Sequence, residues 1–75
     1  MNRLAKVNRN FGYVIRGPGG WLLMRAGAEE FGETEPVRFV SLSEAVQTVR
    51  RLKREGCGYR LAVVDEFNGQ EVYVK

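Results

Sequence analysis

Ser41-Leu42-Ser43-Glu44-Ala45-Val46-Gln47-Thr48-Val49-Arg50-Arg51-Leu52-Lys53-Arg54-Glu55-Gly56 is the stretch on which the fold turns. Ser41 and Glu44 have the S-x-x-E spacing of a capping box, in which the serine oxygen accepts from the third helical amide and the glutamate reaches back to the cap amide. Leu42, Ala45, Val46, Val49 and Leu52 recur at three- and four-residue intervals and share one side of a helix. Gly56 can take the left-handed conformation that ends a helix. Arg50, Arg51, Lys53 and Arg54 crowd the last turns, where positive charge complements the helix dipole. The pattern predicts a helix over residues 42–55.

Working outward, the flanking segments read as strands. Residues 11–16 and 21–25 are rich in aromatic and aliphatic side chains and enclose Gly17-Pro18-Gly19-Gly20, which predicts a hairpin. Residues 36–40 form a third extended run, begun by Pro36, a residue tolerated at a strand's first position. After the helix, residues 59–64 are apolar apart from Arg60, as in a strand buried on both faces. Asn68-Gly69 suits a type I′ turn and folds residues 71–75 back beside it, with Val72 and Val74 on one face and Glu71, Tyr73 and Lys75 on the other. The expected fold is a small α+β domain: a four- or five-stranded, mainly antiparallel sheet with one helix on one face, in the order β-β-β-α-β-β. Its expected core is Ile15, Leu23, Phe39, Val46, Val49, Leu52, Leu61, Val63 and Val72.

The 75 residues have room for one domain, spanning residues 1–75. A chain this short buries roughly 60–65% of the surface it exposes when unfolded, so stability is modest. Residues 1–10 read as a flexible or edge segment, and residues 26–35 as a mobile acidic loop. Cys57 is the one cysteine, so the chain cannot staple itself with a disulfide and a reducing, cytoplasmic setting is expected. No apolar run long enough for a signal peptide or a membrane span is present. Charge is uneven. Arg3, Lys6, Arg9, Arg16 and Arg25 stand without an acidic residue among them, and Glu29, Glu30, Glu33 and Glu35 follow as a block.

Enzyme chemistry finds little support. There is no histidine, the commonest general base and transition-metal ligand. Cys57, set between Gly56 and Gly58, reads as a small residue in a tight turn. The glycine-rich Gly17–Gly20 stretch leads into a strand, whereas a phosphate-cradling loop leads into a helix N-terminus. Asp65, Glu66 and Glu71 gather near the second hairpin, but adjacent strand positions point Asp65 and Glu66 to opposite faces. The expectation is a non-catalytic protein with no catalytic residues, metal, cofactor or small-molecule substrate.

Two binding readings then compete. Arg50 and Arg54 have no acidic partner within the helix, unlike Arg51, which has Glu55 four residues on. With Lys53 and Arg60 they are candidate phosphate contacts for nucleic acid. The segment Phe39-Val40-Ser41-Leu42-Ser43-Glu44-Ala45, following three strands, resembles the arm-type DNA-binding domain of tyrosine recombinases over residues 13–55. The resemblance implies a three-stranded sheet lying in the major groove. Where that family concentrates basic residues on its hairpin, this chain carries the acidic stretch from Glu29 to Glu35.

The preferred reading counts faces. One helix covers one sheet face, and alternation sets Leu22 and Met24 opposite Trp21 and Leu23, so each face keeps large apolar groups. Tyr13, Trp21, Leu22 and Met24 are therefore the candidate contacts for a protein partner or a homodimer.

Overall fold

A computed structural model describes residues 12–75. The sequence expectations for residues 1–11, including the start of the first strand at Phe11 and the basic residues Arg3, Lys6 and Arg9, lie outside the described residues.

Helix α1 spans Leu42–Arg54. Ser41 is extended at its N-cap, and its Oγ accepts from the Glu44 amide at 3.2 Å. Thr48 is buried within the apolar side of α1 because its hydroxyl donates to the Glu44 carbonyl at 2.9 Å. At the other end Gly56 sits at φ +107°, its amide donating to the Lys53 carbonyl (3.1 Å), while the Cys57 amide donates to Leu52 (3.0 Å). Those paired bonds are a Schellman motif, with Leu52 and Cys57 both in the core. Buried Cys57 is thus the apolar residue of a helix stop.

Five strands form one antiparallel sheet in the order β3-β2-β1-β4-β5. They are β1 (Tyr13–Arg16), β2 (Leu22–Leu23), β3 (Phe31–Gly32), β4 (Ala62–Asp65) and β5 (Gln70–Val74). The first hairpin closes over a 3-10 turn, Pro18–Gly20, with Gly19 and Gly20 at positive φ. Ile15 lies opposite Val63, Val63 opposite Tyr73 and Leu23 opposite Phe31, and these residues face α1. The other face carries Val14 opposite Val64, and the row Leu22, Arg16, Ala62, Val74. β4 is buried on both faces, as its unbroken apolar run predicts.

The structure departs from the sequence reading in the third strand, the second hairpin and the pairing of β5, and the strand expected from residue 59 begins only at Ala62. The third strand is Phe31–Gly32, inside the segment expected to be a loop, and residues 36–40 supply only a bridge between Phe39 and Tyr13. The turn after β2 sets the Met24 amide on the Glu30 carbonyl (2.7 Å) and brings Phe31 and Gly32 onto one edge of β2, while residues 36–40 run along the other side, the Val37 amide donating to the Leu23 carbonyl (3.0 Å), without forming a regular strand. The second hairpin has a four-residue loop, 66–69, and among the described residues only glycines have positive φ, so Asn68 does not form the type I′ turn. Asp65 Oδ1 instead accepts from the Phe67 amide (2.9 Å) and Asn68 Oδ1 from the Gln70 amide (3.0 Å). Finally, β5 is bulged: Val63 faces Tyr73 and Val64 faces Glu71, leaving Val72 unpaired. The bulge places Tyr73 rather than Val72 against the core, and Val72 stands 43% exposed. Val46 packs on the core but is only half-buried; the other seven expected core residues are buried.

Glu66 ties the fold's entry point together. Its Oε1 accepts from the Gly12 amide (3.1 Å) and from Arg38 Nε (2.8 Å), and its own amide donates to the Gly12 carbonyl (3.0 Å). The start of β1, the segment before α1 and the second hairpin are joined by this one side chain.

Candidate binding site

The four apolar residues singled out from the sequence do not share a surface. Tyr13 is packed against the core on the α1 side, its backbone paired with Phe39 in both directions (2.9 and 2.8 Å). Leu22 is half-buried on the helix-free face, and Met24 is half-buried with its thioether against Gly32. That face is crossed by charge. Glu71 accepts from Arg60 (3.0 Å) and lies 3.7 Å from Arg16. Among the described large apolar side chains that stand exposed, Val74 is the one in the regular pairing of this face, with bulged Val72 beside it.

Trp21 takes a different position. It precedes β2 with the parity of Leu23, so it projects on the α1 side, yet it is 46% exposed. Its amide donates to Pro18 (3.1 Å) and its carbonyl accepts from Gly17 (2.7 Å), which fixes the residue at the hairpin's end. Phe31 opens β3 and lies over Gly17, where a side chain would meet the ring. Tyr59 follows the Schellman turn, half-exposed, with its carbonyl bound by the Lys53 ammonium. The Phe31 and Tyr59 rings meet edge to face, 6.2 Å between centroids and 83° between planes. Pro18, Gly19, Trp21, Glu29, Phe31 and Tyr59 enclose a groove of about 570 Å³. The loop carrying Glu29 is anchored by Arg51, which donates to the Ala26 carbonyl and also pairs with Glu55 at 3.5 Å.

The basic residues are divided in the same way. Arg50 reaches the Tyr73 hydroxyl (3.4 Å) with its guanidinium 6.0 Å from that ring's centre. Lys53 is committed to the Tyr59 carbonyl, and Arg60 lies across the sheet with Glu71. Arg54 is exposed and makes no hydrogen bond or ion pair among the described residues. A second groove, about 580 Å³, runs along α1 between Phe39, Glu44, Gln47, Thr48, Arg50, Arg51 and Arg54. It brings Arg50 and Arg54 together but excludes Lys53 and Arg60, and it includes a carboxylate.

The carboxylates near the second hairpin are dispersed into separate structural tasks. Asp65 caps its loop, Glu66 holds Gly12 and Arg38, and Glu71 sits between Arg60 and Arg16. Among the described residues no group of three acidic or cysteine side chains is arranged to hold a metal ion, and no helix is long and apolar enough to cross a membrane. The Arg60 hydrogen bond holds the Glu71 carboxyl below its usual range, helped by the charges of Arg60 and Arg16. A lowered carboxyl pKa favours the folded state above the unfolded value of about 4.3, and that contribution is lost as pH falls through the folded value. A carboxyl NMR titration should therefore give Glu71 a midpoint below the ordinary glutamate value, and Arg60→Ala should raise it.

Compared with protein-family models, curated proteins and solved structures, the chain matches none of them.

Proposed function

We propose that this domain is a non-catalytic protein-binding module whose contact surface is the aromatic groove between Trp21, Phe31 and Tyr59. The observation that carries the reading is the exposure of two large aromatic side chains, Trp21 at 46% and Tyr59 at 50%, on either side of a ring held in place by the fold. Aromatic residues are enriched at the cores of protein interfaces because they bury much area and lose little entropy. The sequence motivated a contact surface containing Trp21. We place its centre at the C-terminal end of α1 rather than on the helix-free sheet face, a choice supported by the grouping of Trp21, Phe31 and Tyr59 around one groove.

Expected outcomes follow for a partner captured by the intact chain. Trp21→Ala and Tyr59→Ala should each weaken capture by about 2 kcal/mol or more, the range of an interface hot spot. Both side chains are about half exposed, so thermal unfolding should change less than it does for a core truncation such as Leu52→Ala. Replacing Arg50 and Arg54 together should leave capture unchanged. If the arginine pair abolishes binding and the aromatic variants do not, the contact surface is the basic side of α1 and nucleic acid becomes the better reading.

A further inference from the structure

The walls of the aromatic groove define the chemistry of what enters it. Aromatic faces carry the negative part of the ring quadrupole and attract cations. Phe31 and Tyr59 stand nearly perpendicular and form two sides of a corner, Trp21 provides a third aromatic wall, and Glu29 adds a carboxylate. Glu29 has no hydrogen bond or ion pair among the described residues, in contrast to neighbouring Glu30, which is 3.2 Å from Arg25. Lys53 is fixed on the Tyr59 carbonyl and is not a wall of the groove. The groove thus combines three aromatic side chains with one carboxylate that has no partner among the described residues.

We infer that this groove takes a quaternary ammonium, presented as a trimethylated lysine side chain of the partner protein. This rests on the groove being the contact surface. A bare lysine ammonium brings three N–H donors and a tight hydration shell, and the aromatic walls cannot replace that shell. Glu29 offers one carboxylate, and the Tyr59 carbonyl is already bound to Lys53. A trimethylated ammonium keeps the charge, has no N–H to satisfy, and presents methyl groups to the rings.

Trp21 is the chain's one tryptophan, so its fluorescence reads the groove directly. The probes are N-acetyl-trimethyllysine methylamide, its unmethylated lysine counterpart, and a neutral analogue with a tert-butyl group replacing the trimethylammonium. The cationic trimethyl probe should give a saturable change at a Kd at least about fivefold below those of the other two. Glu29→Gln should weaken the trimethyl probe and leave the neutral analogue unaffected, and Tyr59→Ala should remove the saturable response to every probe. Equal affinities for the charged and neutral trimethyl groups would overturn the inference and leave an apolar contact surface. Equal binding of lysine and trimethyllysine would overturn the preference for methylation. If no probe binds while partner capture still depends on Trp21 and Tyr59, the inference fails and the binding reading stands; if capture is insensitive to both residues, the binding reading fails as well.

Discussion

Leu52→Ala should remove a large fraction of the domain's stability. Leu52 is 2% exposed, packs with Val49 and Leu61, and supplies both the carbonyl and the apolar side chain of the Schellman stop with Cys57. Burying a leucine and then deleting it costs about 2–5 kcal/mol, because the cavity collapses only partly. A domain of this size has about 4–11 kcal/mol in total. In urea, the Leu52→Ala midpoint should fall by a large fraction of the parent value, with an unfolded population visible before denaturant is added at the upper end of that cost. Val72→Ala should change stability by less than about 0.5 kcal/mol, since the bulge leaves Val72 outside the core. A large loss at Val72 with little at Leu52 would mean that β5 is paired in the other register.

Gly17→Ala should dismantle the groove while sparing the sheet. Gly17 has φ −124°, outside the left-handed region that favours glycine. The obstacle is space: a methyl group would fall 2.4 Å from Phe31 Cε1 and 2.8 Å from its Cδ1. The ring has to move, and its edge-to-face packing on Tyr59 moves with it. Overpacking of this kind costs about 1–3 kcal/mol, or about 4–8 °C in Tm for each kcal/mol in a domain of this size. In NMR spectra of Gly17→Ala the cross-peaks between the Phe31 and Tyr59 rings should vanish while the Ile15–Val63 and Val14–Val64 pairings persist, and partner capture should weaken as it does in Tyr59→Ala. Unaltered ring cross-peaks in Gly17→Ala would mean that Phe31 is not seated over that glycine.

These two residues mark what the sequence makes legible. Leu52 belongs to a helix whose start, apolar side and stop are written in local signals: Ser41 with Glu44, the recurring aliphatic residues, and Gly56. Local interactions dictate each of them, so they survive without knowledge of the rest of the chain. The groove is different. Trp21 stands out as a large aromatic on a hairpin, but Phe31 is embedded among glutamates and belongs to a strand of two residues, too short for periodicity to reveal. Tyr59 reads as the beginning of an apolar strand. The Schellman turn and the segment after it occupy the residues before β4, leaving Tyr59 outside the sheet. The space under Phe31 is legible only once Gly17 and Phe31 are known to be neighbours across two strands. The bulge at Val72 is hidden for the same reason, because strict alternation assigns Val72 and Tyr73 to the wrong sides.

Hydroxyl-radical footprinting of the chain, free and bound to its captured partner, tests the account most directly. Trp21, Tyr59, Phe67 and Val72 are all exposed in the isolated domain and report from separate places. Binding through the groove predicts that Trp21 and Tyr59 become protected while Phe67 and Val72 keep their free labelling rates. Protection at Val72 and Val74 or along α1, with Trp21 and Tyr59 labelled as in the free chain, would contradict it.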